Sequence, residues 1–343
     1  MTRRLHIILA AAAALVLGIS GQSMAQQKVK IGQATSSLSF LPVWSARALD
    51  SFKAQGLDLE WAAIPGGDPN ALAALDAGDL DFVAVGSETP LQAISKGQPF
   101  EFIMPLMNKV SLQLVVSNGF LKRTGVSPSD PLAKRLAALK GATLGVSAIK
   151  GAQDRAGRWL VAQGGMNPAK DLNVAMIGPP PALHAALQNN QIDAFMLSPP
   201  SGAVVEQENA GKILIDLASS FPKLKQQPFL VLVAKKPMSA EKKALAVKTV
   251  KALLAASAAT VKNPKATAAA IHAKYFTKVK PAVVATAVEG MADGIADPHF
   301  TAQEIDNVIE FATATGTKFD KKLDARKGEN DFWTNAVIEA AKK

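Results

Sequence analysis

Ala74-Leu-Asp-Ala-Gly-Asp-Leu-Asp81 returns 112 positions later as Ala186-Leu-Gln-Asn-Asn-Gln-Ile-Asp193. Each copy runs from the end of an apolar-periodic helix through a polar turn into a strand. Ile64-Pro-Gly-Gly67 matches Ile177-Gly-Pro-Pro180 at a spacing of 113. Several matches in one register point to an internal duplication.

Outward from the first copy, Val29-Lys-Ile-Gly32 reads as a buried strand, and Leu38 to Phe52 carries helical spacing. Leu57 to Ile64 is a second strand, followed by a helix with Asp68 as N-cap, Pro69 in its first turn and Gly78 past its end. Leu80 to Val85 is a third strand, and Thr89 is placed to cap a helix opened by Pro90. The second copy repeats the order with strands at Thr143–Val146, Val174–Ile177 and Ala194–Leu197 and a helix over Ala152–Gln163. Strands alternating with helices predict parallel sheets with right-handed crossovers, and two copies predict two similar doubly wound α/β lobes. Ser111–Ser117 leads into the second lobe and Phe229–Ala234 leads out, a two-stranded hinge. The expected division is 28–114 plus 235–343 for the first lobe with C-terminal helices, and 115–234 for the second. From Ser239 the chain reads as helices interrupted at Asn263-Pro264, Pro281 and Pro298, packing back on the first lobe.

Ahead of the repeat, Arg3 and Arg4, an apolar run from Leu5 to Ile19 and the small residues Ser23 and Ala25 make residues 1–25 an expected export signal, removed on secretion. No later stretch is expected to span a membrane. There are no cysteines, so disulfides, thiolate metal sites and a lipoprotein anchor are excluded. The expected address is the periplasm. The formal charge of +10 includes the two leader arginines; the remaining lysines are scattered and aromatics are 6%, which argues against nucleic acid. The chain is expected to work as a monomer.

Ligands of open parallel sheets bind beyond the carboxyl ends of the strands, where helix N-termini present free N–H groups. The duplication gives six such loops facing one cleft. Their candidate ligand contacts are Ser36, Ser37, Phe40, Gly66, Gly67, Gly86, Ser87, Glu88 and Thr89 in the first lobe. In the second they are Ser147, Lys150, Gly151, Pro180, Ser198 and Pro199. Hydroxyls, glycines and the cations Lys150 and Arg155 suit a small anionic group. Glu88, if it faces the cleft, calls for a cationic or N–H end on the same guest. Serine and glycine at such turns also serve simply as caps and turn formers.

Lys30-Ile-Gly-Gln33, Leu41-Pro42, the Ala-Leu-x-Ala-Gly-Asp-Leu-Asp81 run and Gly86-Ser87 resemble the nitrate, sulfonate and taurine class of ABC-transporter solute-binding proteins, which includes binders of the pyrimidine precursor of thiamine. The resemblance spans Val29 to about Ala234. It implies a periplasmic binding protein of the type II fold that delivers a small organic anion or zwitterion to an inner-membrane ABC permease. The alternative ligand is a pyrimidine or other small heterocycle. The resemblance implies no cofactor, no bound metal and no ATP site on this chain.

An enzyme or sensor-partner protein on the same lobes is the competing class. No Gly-x-Ser-x-Gly elbow, His-Glu-x-x-His pair or phosphate loop is present. His184 is the histidine nearest a strand-end loop, and its expected place is an exposed helix face.

Overall fold

The computed structural model describes residues 26–343, so the leader expected over 1–25 lies outside the described residues. The first sheet holds β1 (Gln27–Gln33), β2 (Leu57–Ala63), β3 (Phe82–Gly86) and β4 (Phe100–Met107). The second holds β5 (Gln113–Ser117), β6 (Ala142–Val146), β7 (Leu172–Met176), β8 (Ala194–Leu197) and β9 (Gly211–Asp216). β10 (Leu230–Lys235) returns to the first sheet. The spatial orders are β2-β1-β3-β10-β4 and β7-β6-β8-β5-β9, one plan used twice.

The duplication therefore holds in space, with one correction. β10 runs antiparallel to β3 and β4, and β5 antiparallel to β8 and β9, so both sheets are mixed rather than parallel. β10 also belongs to the first lobe, whereas the sequence pattern assigned 230–234 to the second. Its alternation of valine and leucine suits any two-sided buried strand, and partner choice is set by long-range packing. The crossings between the lobes lie before β10: Phe229 N–H donates to Met107 C=O at 2.8 Å, Gln227 N–H to Asn108 C=O at 3.2 Å and Val110 N–H to Leu224 C=O at 2.8 Å. The two crossings thus run side by side.

Local chemistry explains the finer differences. The first helix splits into Leu41–Ala48 and Ser51–Ala54 because Asp50 takes a left-handed φ of 55°. Asp68 is not the N-cap of its helix; Gly67 is, and Asp68 is the first residue of Asp68–Ala77. Thr89 is not a cap either: the helix Glu88–Ser95 has Ser87 at its N-cap. Both side chains are engaged elsewhere, with each other.

All eight residues of β4 are buried, and the first lobe's core takes in six of them with the apolar stripe of the helix Ala240–Lys262, including Leu245, Val250, Leu253 and Ala256. Each fully buried leucine or valine contributes about 1.5–3 kcal/mol. That helix is by length and composition long and apolar enough to cross a membrane, which corrects the expectation that no such stretch follows the leader. Half of its apolar window is buried inside the protein, against the helix Leu41–Ala48 and the C-terminal helix Ala336–Lys342. Its apolarity is used in the core.

Candidate functional site

A cavity of about 190 Å³ lies between the lobes at the carboxyl ends of the first lobe's strands. An engineered cavity of about 150 Å³ accommodates benzene. The space therefore suits one small ring or a short-chain molecule.

The β1 loop brings Thr35, Ser37, Ser39 and Phe40; the β3 loop brings Gly86, Ser87, Glu88 and Thr89; the β2 loop brings Asp68. Asp68 accepts the Gly86 N–H at 3.2 Å and the Thr89 hydroxyl at 3.3 Å. A Cβ on Gly86 would come within 2.9 Å of the Asp68 carboxylate, so glycine there is what lets the acid approach. Burial pushes the Asp68 carboxyl up to about 6, against the pull of the Gly86 and Thr89 donors. The result is a half-buried acid lining the cavity with lone pairs to spare.

The second lobe contributes Ala152, Arg155 and Ser198. Arg155, near the start of the helix Ala152–Gln163, reaches across the cleft to pair with Glu88 and donates to the Lys150 C=O at 2.7 Å. Glu88 also accepts the Thr317 hydroxyl. So Glu88 does face the cleft, and a cation of the opposite lobe meets it. The Ser111 hydroxyl adds a second bridge, 2.8 Å from that of Ser39 and 3.3 Å from that of Ser198.

The walls come from far along the chain. Gln227 sits in the second crossing, 2% exposed, and its side-chain oxygen is buried with no partner. Phe229 and Leu230 follow it, and the helix Ala302–Ala314 supplies Val308, Phe311 and Ala312. Phe311 also packs edge-on against Trp159 of the second lobe, centroids 5.2 Å apart, and the neighbouring Glu310 pairs with Lys223 at 2.8 Å. That helix is a strut between the lobes.

Of the candidate contacts, Ser37, Phe40, Gly86, Ser87, Glu88, Thr89 and Ser198 line the cavity. Ser36, Gly66, Gly67, Ser147, Lys150, Gly151, Pro180 and Pro199 do not. Gly66 and Gly67 shape their turn, with φ of 88° and 73°. The second-lobe loop folds on itself. Gln153 accepts the Ser147 N–H and the buried Asp154 accepts the Lys150 N–H, both at 2.7 Å, which turns the exposed Lys150 side chain outward. Of the two expected cations, Arg155 lines the cavity and Lys150 does not.

Asp68, Gln227, Phe229 and Phe311 were missed as contacts. Asp68 stood in a recognised loop but read as a cap. Gln227 left a trace, a polar pair just before an apolar strand, and nothing local marks Phe311. His184 differs too: it stacks on Phe195 at 5.3 Å with Nε2 buried, and burial lowers its basicity. Among the described residues no group of histidines and carboxylates is arranged to hold a metal ion.

A model of the NMT1-like family matches residues 23–275. A Bacillus subtilis (strain 168) protein described as a binding protein, YtlA, is 24% identical over 226 residues, which are 66% of this chain and 64% of that protein. The match thus spans less than two thirds of that relative's length. Among solved structures, a Bordetella bronchiseptica RB50 protein superposes with a TM-score of 0.71 at 22% identity, covering 94% of this chain and 98% of the other. The alkanesulfonate-binding protein SsuA from Xanthomonas axonopodis pv. citri, bound to MOPS, gives 0.66 at 17% identity, covering 90% and 98%. These structures share the two-lobed fold.

Proposed function

The chain belongs to the NMT1-like family, and on that premise we propose that it is the solute-binding receptor of an ABC importer, working in the periplasm with an inner-membrane permease as its partner. Its ligand is a small zwitterion held in the interlobe cavity. Support for the binding role comes from the alkanesulfonate-binding protein of the same fold. On this reading residues 1–25 are the export signal, and the first lobe takes in β10 together with 28–112 and the C-terminal helices.

One observation carries the choice of ligand: the half-buried Asp68, its carboxyl pushed up to about 6 by desolvation, lines the cavity together with Gln227, whose side-chain oxygen has no partner, and these two acceptors call for N–H donors. An ammonium end satisfies them. The acidic end then meets the hydroxyls of Thr35, Ser37, Ser39 and Ser198 and the Arg155 guanidinium. A bare oxyanion is a poorer guest, since the one cation lining the cavity among the described residues is already paired with Glu88. A second reading keeps the role but exchanges the guest for a flat N–H heterocycle, favoured by the rings of Phe40, Phe229 and Phe311 around the cavity.

Native mass spectrometry of freshly purified protein, followed by a thermal-shift screen of zwitterions, oxyanions and heterocycles, tests this. A zwitterion at about a hundred times its dissociation constant raises stability by about 2.7 kcal/mol and is recovered unchanged. Stabilisation by oxyanions alone overturns the choice of ligand. Conversion of the recovered compound overturns the receptor.

A further inference from the structure

Behind the cavity, on the outer side of the first lobe, Arg47 lies among three aromatic faces. Its guanidinium carbon is 3.8 Å from the ring centre of Trp61, 4.2 Å from that of Tyr275 and 4.7 Å from that of Trp44. Arg47 is two helical turns past Phe40, about 10 Å along the helix, so this is not the interlobe cavity seen from another side. Trp44 and Trp61 are fixed in turn: the Trp44 indole N–H donates to the Ser37 C=O at 2.8 Å, and that of Trp61 to the Gln33 side-chain oxygen at 3.3 Å.

A guanidinium carries five N–H donors, and stacking on rings satisfies none of them. Nη1 of Arg47 is buried with no acceptor. Asp50 is the carboxylate nearest along the chain, yet it pairs with Lys274 at 3.1 Å. A second cavity of about 290 Å³ opens beside the guanidinium, lined by Lys53, Asp50 and Asp58 as well as Arg47. Burial lowers the basicity of Arg47, against the pull of the Tyr275 side chain, and a guanidinium so placed keeps forked donors that match an acceptor pair, the geometry of a carboxylate or a phosphate.

We propose that Arg47 forms a second binding site on this protein, for an oxyanion, with Lys53 as its auxiliary cation and the aromatic faces as its frame. Asp50 and Asp58 set its selectivity: their charge disfavours weakly held spherical anions, while a forked acceptor paired to Arg47 gains two charge-assisted bonds.

The test uses the full protein with inorganic phosphate in one arm and acetate in the other, chloride keeping the ionic strength constant. Emission from Trp44 and Trp61 and titration calorimetry are the readouts. The expected result is a saturable change with at least one of the two, stronger than with chloride; which arm responds tells a tetrahedral from a planar acceptor. R47K weakens it about tenfold or more, because an ammonium lacks the fork, and R47M abolishes it while leaving R155Q as a control that still binds. No saturable change up to about ten times a millimolar dissociation constant, or an equal response to chloride, overturns the site. Retention in R47M or loss in R155Q overturns the assignment to Arg47. If R47M does not fold, the comparison of R47K with R155Q decides.

Discussion

The two lobes are built on one strand plan but use it unequally. The first places three strand-end loops against the cavity; the second reaches it with Arg155, Ser198 and the backbone start of one helix. The reason lies at equivalent positions. In the first lobe Asp68 points inward, and 113 residues later stands Pro181, which offers no side-chain acceptor. In the second lobe Gln153 and Asp154 cap their own loop and close it off. On the proposed function, a few side-chain hydrogen bonds make one copy of the duplicated fold the holding lobe and the other the closing lobe, without any change of topology.

The largest test of that division is Asp68→Asn. Truncating a buried charged partner costs about 2–5 kcal/mol of binding, so affinity for the zwitterion is expected to fall roughly 30-fold or more by calorimetry. The same change should stabilise the ligand-free protein. An acid whose folded value is raised binds more protons folded than unfolded, so stability declines as pH rises from about 4 to about 6. Chemical denaturation across that window is expected to show a loss of up to about 3 kcal/mol in the parent and a flat profile in the variant. Unchanged affinity would mean that the first lobe does not hold the ligand through this acid.

The pH dependence of binding comes next. Below about 6 Asp68 takes up a proton and can no longer balance an ammonium, so affinity is expected to drop about tenfold for each further pH unit. A neutral heterocycle would show a much shallower slope. The profile therefore separates the two ligand readings as well as testing the acid.

A smaller effect is expected at the meeting point of the lobes. Glu88 and Arg155 are each roughly a quarter exposed, so their pairing sits between the exposed and buried extremes. Arg155→Ala leaves Glu88 with only Thr317 and removes the cavity's one cation among the described residues, leaving Asp68 and Glu88 uncompensated. We expect about tenfold weaker binding, roughly 1.4 kcal/mol, and a larger radius of gyration by small-angle scattering. A double-mutant cycle with Glu88→Gln that gives no coupling would show that the pair does not help to close the lobes.

How far the sequence reaches follows the same asymmetry. The succession of strands and helices and the repeat are legible because helical and strand periods are local and the duplication doubles the signal, whereas the antiparallel partners of β5 and β10 are set by long-range packing. Ser87, Glu88 and Thr89 line the cavity as the sequence leads one to expect, because strand-end loops of α/β sheets point one way. Asp68 was placed in the right loop with the wrong role, since the same short acid serves as a cap or as a half-buried acceptor depending on Gly86 and Thr89 across the sheet. The contribution of Gln227 and Phe311 depends on how the second crossing and the C-terminal strut pack, which no local pattern encodes. Lys150 misled because the caps that turn it outward, Gln153 and Asp154, are ordinary helix-start residues in sequence.

Lys150 gives the smallest expected effect and a sharp check on the comparison. Sequence pattern makes it, with Arg155, a cation of the site, whereas the structure leaves it exposed, outside the cavity, with its N–H held by Asp154 and its C=O by Arg155. What matters at this position is then the backbone, which an alanine preserves apart from the left-handed φ of 61°. Lys150→Ala is therefore expected to change ligand affinity by no more than about 0.5 kcal/mol, and Lys150→Gly to behave the same way with slightly better stability. Calorimetry on the two variants beside Arg155→Ala reads the difference directly. A loss for Lys150→Ala as large as that for Arg155→Ala would mean that the second lobe grips the ligand with its whole loop, and the division into holding and closing lobes would fail at the residue where it is most exposed to test.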